Sequence, residues 1–366
     1  MRMPLFIYEE LVEKNVEKII QYTNRQIMAV VKNDAYGLNV KKMIPILKKA
    51  SVNFFVFEKY CEYLECQDML KKNRVLILES VDFSHIQIIP QNVAFSINSI
   101  IDAIKLKTIT QKIKVHLQID TGMNRIGIRS IDEAKKIINI LEKHENIKIE
   151  GIYTHFSSDV FESKYYERQV KDFKKYLKLC SFSIIHANAT KSLHKEIIGN
   201  YVRVGMALYG YHQPYLKLHR TVSLNVLPCH IFRVQAKDRI SYAQQKVGSN
   251  IIGVLPFGYA DFDLDGIKNI YANGQKYPIV GKNCMHHTHF IASDKINYLS
   301  WLSIFPTNGI IVTTNDYNYN LNWYHILTSL DKMPKNYIRR SNYDLPSIFK
   351  YHGEKSLRTK FRKRSD

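Results

Sequence analysis

Met28-Ala29-Val30-Val31-Lys32-Asn33-Asp34-Ala35-Tyr36-Gly37 passes from an unbroken apolar run into a polar turn. A strand buried on both faces reads this way, whereas a strand with one wet face alternates. The first run spans residues 27–31, and runs of the same form recur at 54–57, 75–78, 93–97, 113–119, 147–153, 182–185 and 201–204. Most of the intervals are amphipathic. Leu11, Val12, Val16, Ile19 and Ile20 share one helical face, as do Ala134, Ile137, Ile138 and Leu141. The link over 79–92 is poor in helix pattern. Eight strands with crossovers in about 210 residues predict a (β/α)8 TIM-type barrel. A doubly wound open sheet is the alternative. No strand is expected ahead of the first helix, because the sequence starts almost directly on it.

After Gly210 the texture changes. Residues 222–234, 251–255 and 310–313 read as strands, with few helical patterns between them. Asn273-Gly274, between Ile270 and Ile279, is a hairpin signal. The expected division is a barrel over 1–215, a mainly β domain over 216–350 and a basic tail over 351–366. No solenoid-period repeat is present.

The 366 residues suffice for two such units at roughly 150 residues per domain. A hydrophobic content of 45% with 23% charged residues excludes long disorder. No apolar run approaches the ~20 residues of a membrane span, and no signal-peptide core opens the chain. The five cysteines (Cys61, Cys66, Cys180, Cys229, Cys284) form no C-x-x-C pair, which speaks against a disulfide framework and for a reducing cytoplasm. The net charge of +20 raises nucleic acid as a partner. The lysines, however, are spread along a chain rich in Lys, Asn, Ile and Tyr throughout, and the one cluster is the tail (Lys355, Arg358, Lys360, Arg362, Lys363, Arg364). Solvated charge is the simpler reading, so neither nucleic acid nor membrane is expected as a partner.

In a parallel barrel, chemistry gathers at the C-terminal ends of the strands. Lys32 follows the first strand. Gln118, Asp120 and Arg125 sit at and after the fifth, and His155 follows the sixth. Asn188, Ala189 and Thr190 follow the seventh, while Arg203 lies in the eighth and Gly205 follows it. Singly, each has a structural explanation: a solvated lysine, a hydrogen-bonded histidine, an Arg125–Asp120 pair. Their coincidence on one rim is the informative feature. A neutral lysine amine attacks aldehydes, and backbone amides in the loops after the last two strands suit a phosphate.

These residues carry a resemblance to the fold-type III pyridoxal-phosphate enzymes, and among them to the alanine racemases. The segment 28–37 resembles the family's cofactor-lysine motif, Asp120 to Gly127 its D-T-G-M-x-R-x-G, and Arg203 to Gly210 its R-x-G-x-x-x-Y-G. Further on, Ile240-Ser241-Tyr242 resembles the segment bearing the catalytic tyrosine. Pro256 to Asp261 resembles P-I-G-Y-A-D, and Asn273 to Gly281 followed by Cys284-Met285 resembles N-G-x-x-x-P-I-V-G-x-x-C-M. The ordered series covers most of the chain.

The resemblance implies a cytoplasmic homodimer supplying D-alanine for the cell wall, with pyridoxal 5'-phosphate as cofactor. It implies that Lys32 binds the cofactor covalently and that Lys32 and Tyr242 serve as bases on opposite faces of the α-carbon, as racemisation requires. A tyrosine, ordinarily near pKa 10, then needs help from His155 and nearby cations. Arg203, a donor that stays charged, would face the pyridine nitrogen and keep it unprotonated. Arg125 would meet the cofactor's phenolic oxygen or the substrate carboxylate. Tyr36, Asn188, Thr190 and the Gly205 loop would take the phosphate. Tyr242 and the Met285 amide would come across the dimer interface.

Several positions depart from the family pattern. Gln118 stands where a modified lysine is common, and as an amide it could accept a bond from Arg125. Ala189 replaces the phosphate serine, with Thr190 beside it. His286 replaces the aspartate after Cys-Met and opens His286-His287-Thr288-His289, whose strand-like alternation separates neighbours and argues against a metal site. Asp331 to Lys335 replaces the family's tyrosine-R-V-P-R segment. These departures leave three rivals: a catalytically weak or inactive relative, a racemase for another small amino acid such as serine, and a decarboxylase on the same barrel.

Overall fold

The computed structural model describes residues 5–157, 164–264, 266–272, 275–305 and 323–339. Eight parallel strands form one sheet: β2 (Gln26–Val30), β3 (Phe54–Phe57), β4 (Arg74–Ile77), β5 (Val93–Ile97), β6 (Ile113–Ile119), β7 (Ile147–Thr154), β8 (Ile184–His186) and β9 (Tyr201–Val204). They run in the order β8-β7-β6-β5-β4-β3-β2-β9. The seam between β8 and β9 is closed above the strands, where the Arg203 amide donates to the Asn188 carbonyl at 3.0 Å and Ala189 bridges Arg203. This is the expected barrel, and the open doubly wound sheet is excluded.

Each strand end lies within two residues of its predicted position. The helix Glu9–Thr23 buries Leu11, Val12, Val16 and Ile19, and the helix Ile131–Glu142 buries Ala134, Ile137, Ile138 and Leu141. Ser130 starts the latter by accepting the Glu133 amide. Between β4 and β5 there is only the 3-10 turn Phe83–His85, in keeping with the absent helix pattern.

The barrel interior has two sectors. Met28, Phe54, Val56, Leu76, Ala94 and Ile184 form an apolar cluster. Ser96, His116, Gln118, Tyr153, His186 and Arg203 are buried opposite and bonded to one another. Alternation along each strand aims these side chains inward while Val115, Leu117 and Ile119 face the helices. On β7 the alternation breaks. Val115 pairs with Ile149 but His116 pairs with Gly151, leaving Glu150 as the extra residue of a β-bulge. Glu150 is thereby brought to His116, one of its neighbours across the bulge.

The second sheet is mainly antiparallel and carries β10 (Val222–Val226), β11 (His230–Val234), β12 (Asn250–Leu255), β13 (Asn269–Ala272), β14 (Gln275–Val280), β15 (Thr288–Ala292), β16 (Leu302–Ser303) and β17 (Lys335–Ile338). β13 and β14 pair as the Asn273-Gly274 signal predicts, Ala272 opposite Gln275. The predicted strand at 310–313 and the tail 351–366 lie outside the described residues.

One expectation is corrected. A strand does precede the first helix: β1 (Leu5–Tyr8), buried along its whole length. It does not join the barrel. It runs antiparallel to β10, Leu5 opposite Leu224, and parallel to β17, Leu5 opposite Lys335. Four consecutive apolar residues abutting an amphipathic helix carry no alternation and no turn signal, so they read as the helix approach. No helix among the described residues is long and apolar enough to cross a membrane.

Candidate active site

A cavity of about 340 Å³ opens at the C-terminal rim of the barrel. Lys32, Arg125, His155, Thr190, Arg203 and Gly205, placed on the rim by their strand-end positions, line it together with Tyr36.

The backbone after β2 sets two of them. Asn33, Asp34, Ala35 and Tyr36 all have φ between 52° and 59°, one turn of left-handed helix, and Gly37 follows at 79°. Each non-glycine residue there costs roughly 1–2 kcal/mol. Such a turn persists only where its surroundings over-determine it. Here Asp34 Oδ1 accepts the Val40 amide at 2.8 Å and Glu62 Oε1 accepts the Asn33 amide at 2.6 Å. Gly37 lies so close to the helix Trp323–Ser329 that a Cβ would sit 2.6 Å from the Leu327 carbonyl oxygen. The turn delivers Lys32 and Tyr36, four residues apart, to the same cavity.

Lys32 Nζ donates to Glu58 Oε2 at 2.7 Å. Tyr36 is buried, and burial raises its pKa well above the ordinary value, so the hydroxyl remains a donor. It lies against Gly205, where a Cβ would meet the Tyr36 hydroxyl at 2.1 Å. Thr190 Oγ1 accepts the amides of Gly205 and Ala207 at 3.3 and 3.4 Å. The Thr190 hydroxyl, which accepts both amides and keeps its own proton to give, the Tyr36 hydroxyl and a glycine with no room for a side chain make a cradle for an oxyanion.

Arg203 is buried and heavily bonded. Nη2 donates to the Thr154 carbonyl at 2.6 Å, and Nη1 donates to His186 Nδ1 at 2.8 Å and to the His186 carbonyl. Burial pulls its pKa to about 10, still a cation at neutral pH. His155 faces Arg203 Nη2 at 3.5 Å. Burial first, then the charges of Arg203, Arg125 and Lys32, bring His155 down to about 3, so it is neutral. Arg125 is exposed at the cavity mouth and makes no ion pair among the described residues.

Other expected contacts differ. Gln118 does not accept from Arg125. Its Oε1 accepts the Tyr153 hydroxyl at 2.5 Å and its Nε2 donates to the Ile126 carbonyl, because it faces the barrel interior. Asp120 pairs with Arg129 at 3.2 Å and not with Arg125. The Asn188 side chain spans the backbone of its own loop, donating to the Ser192 and Glu196 carbonyls and accepting the Ile198 amide, and does not line the cavity. Tyr242 and Met285 do not line it either. Ile240 to Gln245 forms a turn rather than a strand, and Tyr242 stands 79% exposed on it; Met285 is 53% exposed. His286 lies 3.4 Å from Asp261, and no cluster of three metal-ligating side chains occurs among the described residues.

Among the cavity neighbours that escaped the sequence reading are Glu58, Lys191, Ser192 and Tyr324. Glu58 directly follows β3, so the strand-end rule could have found it. Ser192 lies in the turn after β8, where its hydroxyl accepts the Ala189 amide at 3.0 Å. Tyr324 carries no local signal. It comes from the helix Trp323–Ser329, with its ring 5.9 Å from that of Tyr36.

A parallel barrel with a lysine, two arginines and a neutral histidine at its mouth, followed by a mainly β sheet, is the architecture of the fold-type III pyridoxal-phosphate enzymes. Within that class the chain belongs to the alanine racemase family. The family profile "Alanine racemase, N-terminal domain" matches residues 7–213, and "Alanine racemase, C-terminal domain" matches 221–337. An alanine racemase of Fusobacterium nucleatum subsp. nucleatum is 30% identical over 310 residues, 79% of this chain and 85% of that protein. One of Methanococcus maripaludis is 29% identical, covering 75% of this chain and 80% of that one. The crystal structure of the Bacillus anthracis alanine racemase with bound L-Ala-P superposes with a TM-score of 0.79 at 25% identity, over 94% of this chain and 96% of that one. The protein is an amino-acid racemase of a pyridoxal-phosphate-dependent family.

Proposed function

We propose that this racemase interconverts L- and D-alanine with pyridoxal 5'-phosphate, using Lys32 and Tyr242 as its two bases. The observation that carries the reading is the convergence of Lys32, Tyr36, Arg125, His155 and Arg203 on one cavity beside Thr190 and Gly205. The cradle, the Tyr36 hydroxyl and the surrounding cations suit a phosphate. Bound there, the cofactor supplies the electron sink that acidifies the substrate α-carbon.

The chain's own groups do the rest. Lys32 would hold the cofactor through Nζ, and its amine would take or return the α-proton on one face. Arg125, exposed at the mouth, orients the substrate carboxylate. Arg203 presents N–H donors only, which disfavours a proton on a facing ring nitrogen. The opposite face needs a second proton carrier. Tyr242 is that group, and its exposure on a turn fits delivery into the cavity of a second copy of this chain, together with the Met285 amide. On this reading the enzyme is a cytoplasmic homodimer, and its D-alanine serves the cell wall.

The test is α-proton exchange of L-alanine in deuterated water by protein supplied with pyridoxal phosphate. Exchange with appearance of D-alanine is expected. Lys32→Ala abolishes both, and Tyr242→Phe abolishes racemisation. Full racemisation by Tyr242→Phe contradicts the two-base assignment. Cofactor loading without exchange across a panel of amino acids contradicts the activity.

A further inference from the structure

The polar sector of the barrel extends well below the cavity. Arg203 Nη1 donates to His186 Nδ1 at 2.8 Å. His186 Nε2 meets His116 Nδ1 at 2.9 Å. His116 Nε2, buried and with no other acceptor, faces Glu150 Oε2 at 3.5 Å, and Glu150 Oε1 accepts Arg74 Nη2 at 2.9 Å. Both imidazoles are fully buried.

Donor and acceptor logic gives this row a direction. A guanidinium only donates, so His186 Nδ1 accepts and carries no proton. A neutral His186 then holds its proton on Nε2 and gives it to His116 Nδ1. That leaves the His116 proton on Nε2, aimed at a carboxylate that only accepts. Read this way, every pair sets one donor against one acceptor. A second proton on either ring would set N–H against N–H. We propose that His186, His116 and Glu150 are positioning residues for Arg203: a one-way chain, anchored at its far end by Arg74, holds both imidazoles neutral and fixes where the guanidinium points.

The surroundings agree. His116 is met by Phe54 of β3, Arg74 of β4, Glu150 of β7, His186 of β8 and Arg203 of β9. The ring of His186 is stacked on Tyr153 of β7, centroids 4.6 Å apart. Burial, assisted by Arg74 and Arg203, holds His116 below its ordinary value despite Glu150, and burial with Arg203 holds His186 lower still. The bulge at Glu150 is what admits the chain. It places Gly151 against His116, where a Cβ would sit 2.7 Å from Nδ1, so only glycine leaves that atom free for His186.

The consequence for catalysis rests on the racemase reading; the chain itself does not. The first measurement is nitrogen NMR of histidine-labelled protein between pH 5.5 and 8, assigned with His116→Asn and His186→Asn. The expected result is a protonated Nε2 and a bare Nδ1 on both rings, without titration. A proton on Nδ1 of either ring, or titration in that range, overturns the chain. The second measurement uses cofactor-loaded Glu150→Gln, an isosteric change whose amide can donate as well as accept. The His116 signals are expected to shift and kcat to fall about tenfold, with KM within twofold and partial rescue by Glu150→Asp. Unchanged histidine signals and unchanged kcat in Glu150→Gln overturn the positioning role. If wild-type protein exchanges no α-proton, the racemase reading fails while the histidine signals still decide the chain.

Discussion

Gly205 and Tyr36 set the tolerances of the cavity. A methyl at residue 205 would sit 2.1 Å from the Tyr36 hydroxyl, and Tyr36 is held from behind by the rings of Tyr209 and Tyr324 at 6.2 and 5.9 Å. With no space to retreat into, Gly205→Ala is expected to cost roughly 1–3 kcal/mol in stability, the usual range for overpacking. It should weaken pyridoxal-phosphate binding by more than tenfold, because the Tyr36 hydroxyl and the Gly205 amide move together. Thermal melting and a cofactor titration followed by absorbance check both, and binding as tight as wild type would remove Tyr36 and Gly205 from the cradle. At this scale the sequence was informative where position along a strand decides direction. Lys32, His155 and Arg203 reached the cavity for that reason. It misled where an amide has several partners within reach. Gln118 and Asn188 are both spent on neighbouring groups, and nothing in the sequence reports the competition.

The left-handed turn at Asn33 to Tyr36 shows what an element can conceal. None of those four residues is glycine, so a run of four positive φ angles carries no glycine signal. The turn stands because Asp34 and Glu62 accept its neighbouring amides. Asp34 does not line the cavity, yet Asp34→Ala is expected to lower stability by roughly 1–2 kcal/mol, the cost of a buried amide left unpaired. Cofactor affinity should fall with it, since Lys32 and Tyr36 flank the turn. Urea unfolding reads the first effect, and an unchanged midpoint would mean that the turn holds without its aspartate. The bulge on β7 was equally hidden: Ile147 to Thr154 looks like an uninterrupted strand, and only the pairing across to β6 shows the extra residue. Strands and amphipathic helices were legible because their apolar periods come from burial. The turn, the bulge and β1 were not, because their conformations come from partners distant in sequence.

For the molecule as a whole, the buried neutral histidines make acid the natural denaturant. His116 and His186 have folded pKa values below the ordinary 6.5, so the unfolded chain binds more protons than the native one as pH falls. Their contribution to stability is complete above about pH 6.5 and is lost as pH drops through that value toward their folded pKa values. Glu150 adds to it at lower pH. Burial would raise its carboxyl, but His116 and Arg74 outweigh that and hold it at about 2, so its share fades between roughly pH 4.5 and 2. Guanidinium melts at pH 8, 6.5 and 5 should therefore show a falling midpoint that His116→Asn makes shallower. A midpoint independent of pH over that range would mean that the histidines titrate alike in both states.

β1 has a consequence for how the chain is made. Leu5 to Tyr8 leave the ribosome ahead of the barrel, yet one partner is β10, beginning at Val222, and the other is β17, beginning at Lys335. At roughly 5–20 residues per second, the strand waits on the order of ten seconds or more for the first partner and longer for the second. The barrel can close in that interval, since all eight of its strands precede Val222. Synthesis thus imposes an order of assembly, in which this apolar segment stays without any sheet partner until β10 emerges and without its second until β17 does. During elongation that segment is the natural binding target for a chaperone that recognises short apolar peptides.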